Sequence, residues 1–352
     1  MSIAAGYDVG GAHLKVALSE NGRTIAVRQI ACPLWQGLDR LDAAFAAASD
    51  LVARADRHAA TMTGELCEIF PDRPTGVRVI IDRLKALLPA FQVWMGLRGL
   101  GAPDAAEADP ASVASTNFLA SAALVARRLP DALLVDMGST TTDIIAVRNG
   151  AIAARGLTDG DRLATGELVY TGLTRTDVST VARTGILGSR RQLARTGILG
   201  SRRQRLAAGG FANMADVQRV LGLLPEGVDQ HPTLDGRGTS RTESLARLAR
   251  CFGSDAADRA LDDWQQAARD IAMQQVQEIG SAIGEVLATS RLPDAAPVVA
   301  AGVGADVIDG VANSLGRPCV PFADIAAANE DCRVWATRCA PATALALIAA
   351  TA

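Results

Sequence analysis

Apolar and polar residues alternate in one pattern that opens the chain and opens again near its middle. Residues 5–30 read as strand, turn, strand, turn, strand. Gly6–Gly10 leads in, Leu14–Ser19 alternates, Glu20-Asn21-Gly22 makes a hairpin turn, and Thr24–Ile30 alternates again. From Ala132 the same order returns: an apolar strand to Asp136, the loop Met137-Gly138-Ser139-Thr140-Thr141, a strand Asp143–Arg148, the turn Asn149-Gly150, and a third strand Ala151–Gly156. Between the two meanders, helical spacing covers 38–56, 74–89 and Ala111–Arg128, the last with Ser112 or Ser115 as cap, and short strands fall at His58–Thr63 and Phe91–Trp94. After the second meander, helices are predicted at 213–224, 241–252, 255–290 and Ala305–Ser314. A strand is predicted at Pro297–Ala301 and an apolar helix at Cys339–Ala350.

Two halves with one opening point to a duplicated α/β unit, in which an antiparallel meander joins parallel strands through helices. The division expected is 1–130, 131–340 with a helical insertion around 160–290, and a terminal helix at 341–352.

Composition narrows the function classes. Hydrophobic residues are 49% and aromatics only 4%, so the core is aliphatic and base-stacking platforms are not expected. A net charge of −3 carries no basic footprint for nucleic acid. The six cysteines show no CxxC spacing and there are three histidines, which argues against a zinc site and for free thiols in a reducing cytoplasm. No signal peptide and no membrane span are expected. The segment 182–192 (ARTGILGSRRQ) recurs unchanged at 194–204. It reads as a local duplication in a surface loop, where added length costs little; a basic arm is the other reading.

Three short stretches carry chemistry. In Asp8-Val9-Gly10-Gly11-Ala12-His13-Leu14-Lys15, an aspartate ends a strand and two glycines turn the chain. Glycine lets backbone N–H groups approach phosphate oxygens, and the carboxylate suits Mg²⁺. Asp136-Met137-Gly138-Ser139-Thr140-Thr141 repeats the logic with hydroxyl donors, and Asp143 is a further acid nearby. Val298–Ala301 followed by Gly302-Val303-Gly304 is a strand entering a glycine turn, fit for close approach of a ring or a phosphate. A plain hairpin or strand–helix turn accounts for any one of these alone; two aspartate loops, each inside a meander, are more specific.

In order and type, Asp8-Gly10-Gly11, Asp136-Gly138-Thr140 and Gly302-Gly304 resemble the two phosphate motifs and the adenosine motif of the actin-like ATPase superfamily. The resemblance implies two ribonuclease-H-like domains, mixed sheets flanked by helices, around a central cleft. Asp8–Lys15, Thr61-Met62-Thr63-Gly64-Glu65-Leu66-Cys67, Val135–Ile144, and Phe211–Leu224 with Asp235-Gly236-Arg237 look like a hydantoinase/oxoprolinase-related family of tetrahydromethanopterin-linked C1-transfer proteins. That family is similar to archaeal methanofuran-biosynthesis synthases.

The resemblance implies a transferase that joins a phosphorylated aminomethylfuran to the phenol of a tyramine-type acceptor with loss of diphosphate. Asp8 and Asp136 would hold Mg²⁺. Gly10, Gly11, Gly138, Ser139, Thr140, Thr141, Gly302 and Gly304 would bind the cofactor or phosphate groups, with ATP as a second candidate ligand. Lys15 would add a point charge. Glu65 is the candidate base for the phenol, or else a carboxylate at a helix N-terminus; His13 is the alternative base, or else a solvated turn residue. Asp235 and Arg237 bind an acidic tail or each other. Competing functions are an ATP-dependent kinase or oxoprolinase-type amidohydrolase, and a nucleotide-gated binding protein. Partners expected are small molecules, with no nucleic acid or membrane and with homo-oligomers open.

Overall fold

The structure is a computed structural model that describes residues 2–182, 184–187 and 202–352. Arg183 and residues 188–201, which hold most of the duplicated segment, lie outside the described residues.

The strands in chain order are β1 Ile3–Val9, β2 His13–Glu20, β3 Arg23–Ala31, β4 Arg57–Met62, β5 Phe91–Trp94, β6 Leu100–Gly101, β7 Ala132–Met137, β8 Thr142–Arg148, β9 Ala151–Ile152, β10 Leu168–Val169, β11 Thr184–Leu187, β12 Arg202–Arg205, β13 Val298–Ala301 and β14 Cys319–Pro321. One sheet runs β3-β2-β1-β4-β5-β6; a second runs β10-β8-β7-β13-β14, with β9 beside β8. Both are mixed, as the repeated meanders imply. In the first sheet β1 pairs antiparallel with β2 and parallel with β4. In the second, β7 and β13 are parallel. The protein is therefore an α/β chain with two mixed, helix-flanked sheets.

Both meanders turn where Asn-Gly predicts. Asn21 and Gly22 have φ of 52° and 75°, and Asn149 and Gly150 have φ of 52° and 71°. This left-handed pair is what a two-residue type I′ hairpin requires, and asparagine and glycine tolerate it best.

By compactness the chain forms two units: 1–136, 143–168 and 285–352, and 137–142 with 169–284. The boundary expected near 130 falls between the helix Asn117–Ala126 and β7, inside the first unit, and the insertion expected around 160–290 overlaps the second.

The first unit is organised on the helix Ala340–Ala349, every residue of which is buried. It packs against β1, β2 and β4 and against the helix Asn117–Ala126. Its alanines keep it thin, and Gly6 lets it come close: a Cβ there would lie 2.1 Å from the Ala342 carbonyl oxygen. Ser19 Oγ donates to the Ala346 carbonyl at 2.6 Å across the same contact. Aliphatic side chains of β1, β2 and β4 pack with the helix Arg73–Leu87 into one core.

The second unit has its own core around Trp264, Met214, Leu248 and Ile271. The helices Met214–Leu221 and Arg241–Cys251 begin with capping boxes at Asn213 and Ser240. Buried Arg247 joins them, bonding Asp216 and Asp235 at 2.9 Å each. Asp235 is thus a partner of Arg247 and also accepts from the Arg237 backbone N–H at 3.1 Å, while the Arg237 guanidinium lies 4.0 Å from it.

Three expectations need correction. The helix predicted over Ala111–Arg128 begins only at Asn117, because Ser115 takes a φ of 54° and turns its N–H to Glu65. The strand after Asn149-Gly150 lasts two residues rather than six. The strands β6, β10 and β14 and the helices Pro103–Ala108 and Arg333–Arg338 were hidden by their shortness.

Candidate active site

The first loop leaves β1 after Val9 and enters β2 at His13. Gly10 N–H donates to the His13 carbonyl at 2.9 Å and closes the turn. The loop's carbonyls are tied from behind: Cys32 N–H donates to Ala12 O at 2.8 Å and Leu34 N–H to Gly11 O at 3.0 Å. The Gly64-Glu65-Leu66 turn is seated on the same loop. A Cβ on Gly64 would lie 3.2 Å from Val9 O, and one on Gly11 would lie 2.8 Å from Cys67 Sγ. The segment Thr61–Cys67 is therefore packing for the first loop.

Strand register fixes the charged groups. Asp8 lies opposite Lys15 on β2 and Thr61 on β4. Lys15 Nζ is 3.1 Å from Asp8 Oδ2. Asp8 Oδ1 and Thr61 Oγ1 are buried without a hydrogen-bond partner. Burial alone would weaken Lys15's hold on its proton, but Asp8, Cys339 and Asp136 together raise its pKa, so it is a fixed cation and not a proton donor. Asp136, at the end of β7, is the other acid of this cluster. Burial first, and then Asp143, push its carboxyl up to about 7 against the pull of Lys15, with Asp8 adding to the rise. Asp143 is held by Arg162, which is itself buried with its guanidinium 3.6 Å over the Phe118 ring. Asp8, Lys15 and Asp136 thus come together in the first unit, and negative charge exceeds positive there.

Cys339 was missed by sequence reasoning. It is fully buried, and burial pushes its thiol up to about 12, with Lys15 opposing and Asp8 and Asp136 adding. It stays a neutral S–H beside the charged cluster. Nothing local in the sequence marks it; the long return of the chain brings it there.

Glu65 is 1% exposed. Its Oε1 accepts from Ser115 N–H at 2.8 Å and Ser115 Oγ at 3.1 Å, while Oε2 is buried without a partner. Burial raises its pKa above the ordinary range, against the bonds from Ser115. It lies in the three-residue 3-10 helix Gly64–Leu66 and not at the start of an α-helix. His13 is 4% exposed at the start of β2, so it is no solvated turn residue.

The second loop belongs to the second unit and repeats the first. Gly138 N–H donates to the Thr141 carbonyl at 2.9 Å, the same closure as Gly10 to His13. Its carbonyls are again tied from behind: Leu173 N–H bonds Gly138 O at 3.0 Å and Arg175 N–H bonds Ser139 O at 2.8 Å. With their carbonyls engaged, both turns leave amide hydrogens for an anion. Gly172 makes this fit possible, since a Cβ there would lie 2.5 Å from Thr140 N. Gln275 holds that segment in place, donating to Thr171 Oγ1 and Gly172 O at 2.8 Å each. Gly172 and Gln275 also escaped sequence reasoning.

The third stretch lies in the first unit. Ala301 on β13 stands beside Asp136 on β7, and Gly302 then turns with a φ of 82°. Its N–H donates to Thr337 O at 2.9 Å. Gly304 caps the helix Ala305–Ser314. A cavity of about 440 Å³ opens here, lined by Gly302, Asp306, Asp309, Cys319, Thr337 and Arg338 among others. All six cysteines are free thiols, and no helix among the described residues is long and apolar enough to cross a membrane.

Residues 56–328 match the family model described as hydantoinase/oxoprolinase. The chain is 32% identical over 252 residues to the (4-{4-[2-(gamma-L-glutamylamino)ethyl]phenoxymethyl}furan-2-yl)methanamine synthase of Methanocaldococcus jannaschii, covering 71% of each chain. A protein of the same name from Methanococcus vannielii is 28% identical over 159 residues, which is 43% of this chain and 66% of that one. Among solved structures, nucleotide-free acetone carboxylase shares the fold with a TM-score of 0.59 at 10% identity, over 93% of this chain and 69% of that one.

Proposed function

This chain belongs to the hydantoinase/oxoprolinase family, and we propose that it is a transferase of methanofuran-type cofactor biosynthesis, joining an aminomethylfuran diphosphate to the phenol of a tyramine-type acceptor. The observation that carries the reading is the pair of identically closed loops, Gly10 to His13 and Gly138 to Thr141, each led by an acid, with Asp8 and Asp136 in one cluster around Lys15. The printed name of the Methanocaldococcus relative supports the ether product.

In this reaction the phenol oxygen bonds the furanylmethyl carbon as the carbon–oxygen bond to diphosphate breaks. The electron pair leaves with the diphosphate and the phenolic proton goes to a base. A phenol has a pKa of about 10, so a base beside it lowers the barrier. Glu65 suits that role: it is buried, its Oε1 is fixed by Ser115, and its Oε2 has no partner. Backbone amides of a turn closed in this way would hold phosphate oxygens, and in the second loop Ser139, Thr140 and Thr141 would add hydroxyls.

The acids fit a divalent cation. Asp8 Oδ1 has no partner, and Asp136 keeps a proton up to about 7 because it is buried and has Asp143 and Asp8 near it, against the pull of Lys15. Among the described residues no three His, Cys, Asp or Glu side chains converge as a metal cage. Mg²⁺ is commonly bound through one or two carboxylates plus water and phosphate oxygens. When bound by Asp8 and Asp136, Mg²⁺ would offset the charge that builds on the leaving diphosphate.

The test is incubation with Mg²⁺, a furanylmethyl diphosphate and a tyramine-type phenol, without ATP. Ether and diphosphate in equal amounts are expected. Turnover only with ATP, giving ADP or a hydrolysed amide, would replace this reading with a kinase or amidohydrolase.

A further inference from the structure

Thr61 carries a hydroxyl that the packing of the first loop does not use. It stands on β4 beside Asp8 on β1, and Lys15 on β2 stands on the other side of Asp8. Paired residues of neighbouring strands turn their side chains to the same face of a sheet. Lys15, Asp8 and Thr61 therefore form a row across three strands. The row lies on the face covered by the helix Ala340–Ala349. Gly6, two residues before Asp8 on the same strand, shows this, since a Cβ there would meet Ala342, Leu345 and Ala346.

Hydrogen bonds along this row stop halfway. Thr61 is 0% exposed and Asp8 is 1% exposed. Lys15 occupies Asp8 Oδ2, whereas Asp8 Oδ1 and Thr61 Oγ1 both lack a partner. Beyond Thr61, Trp94 follows Val93, the β5 partner of Ala60, and gives its indole N–H to Thr116 O at 3.1 Å. That donor is therefore spoken for. A buried hydroxyl without a hydrogen bond opposes folding. Valine has the same shape and suits a strand as well, yet carries no such penalty. Threonine here is accounted for by a ligand that both orphan atoms can bind.

The two atoms narrow what that ligand is. One is a carboxylate oxygen and the other a neutral hydroxyl on a strand about 5 Å away. A phosphate oxygen would be repelled by the carboxylate. A hydrated divalent cation meets both demands: the ion takes the carboxylate oxygen, and a water that it keeps hydrogen-bonds the hydroxyl. Mg²⁺ gives up its waters reluctantly, so neighbours of this kind help to hold it. We propose that Thr61 is a positioning residue for the divalent cation on Asp8, with Oγ1 holding a water of the ion's shell. The proposal rests on the metal reading of Asp8 and adds to it a residue outside both aspartate loops.

The experiment measures Mn²⁺ binding by electron paramagnetic resonance, with Mg²⁺ as competitor, in the presence and absence of inorganic diphosphate. Thr61→Val is expected to bind Mn²⁺ about 10–100-fold more weakly than the wild type, the range for losing an outer-shell partner. Thr61→Ser keeps the hydroxyl and should stay close to the wild type. Without metal, Thr61→Val should show a urea midpoint no lower than the wild type's, because it sheds an unbonded hydroxyl and keeps its shape. A lower midpoint with wild-type Mn²⁺ affinity would make the hydroxyl structural and overturn the proposal. An equal loss of affinity in Thr61→Val and Thr61→Ser would also overturn it, by tracing the loss to repacking. Wild-type affinity in Thr61→Val, with binding abolished in Asp8→Asn, removes Thr61 and leaves the metal reading standing. Mn²⁺ that fails to bind the wild type, or binds Asp8→Asn equally well, overturns the metal reading and the role of Thr61 together.

Discussion

Lys15 Nζ sits 3.1 Å from Asp8 Oδ2, while the second oxygen of that carboxylate is buried with no hydrogen-bond partner. One oxygen of this buried acid is thus paired by the protein and the other is left for something else. Lys15→Met should strand the Asp8 charge and lower unfolding stability by about 3 kcal/mol, the scale for breaking one partner of a buried pair. The double variant Asp8→Asn with Lys15→Met should regain most of that loss. Urea midpoints check both, and a single variant as stable as the wild type would show that the pair carries no mutual dependence.

Gly172 supports the second loop from behind by having no side chain. Gly172→Ala places a Cβ 2.5 Å from Thr140 N, so the loop must shift. Overpacking of this kind costs about 1–3 kcal/mol. Because the shift falls on the amides proposed to hold phosphate, KM for the diphosphate substrate should rise by about tenfold or more while the fold survives. Equal KM values in the two proteins would remove Gly172 from the positioning of that loop.

Glu65 sets a pH dependence of definite sign. Burial raises its pKa in the folded protein, whereas in the unfolded chain it titrates near its ordinary value of about 4.3. The unfolded chain therefore loses the proton first, and this group's contribution to stability falls as pH rises from the unfolded value through the folded one. Glu65→Gln should flatten that decline in thermal melts taken across mildly acidic pH. If Glu65 is the base, kcat/KM rises with pH over its folded titration, and the same variant should lose both that limb and most activity. A rising limb that persists in Glu65→Gln would exclude it as the base.

The duplicated segment allows a clean excision. β11 and β12 pair Leu187 with Arg202 and Thr184 with Arg205. Removing residues 188–199 would join Leu187 to Gly200-Ser201-Arg202, so the same strands would meet through a Gly-Ser pair, a sequence suited to a two-residue turn. The shortened chain should match or exceed the parent in stability by up to about 1 kcal/mol, since a shorter loop has less entropy to lose. A strongly destabilised or inactive product would give the insert a role of its own.

The sequence disclosed what is written locally. The Asn-Gly turns, the strands β2 and β8 and the acid-led loops all follow from neighbours along the chain. What it concealed depends on distant partners. Ser115 would continue a helix, but its N–H answers Glu65, fifty positions back. Asp143 looked like a strand opener, and only Arg162 shows it to be a fixed charge that bears on Asp136. Cys339, Gly172 and Gln275 carry no pattern of their own, because a neutral thiol, a missing side chain and one amide gain meaning only from what lies against them.

The helix Ala340–Ala349 has a consequence for how the protein comes into being. It covers β1 and β2, made more than three hundred residues earlier, so while the intervening chain is synthesised that face of the first sheet has no lining. An aliphatic surface left bare for so long invites association with other nascent chains. Production of the protein should therefore benefit from chaperones that shield such surfaces. A substitution at Gly6 that keeps the late helix from seating should reveal itself as insoluble product before any loss of catalysis is measured.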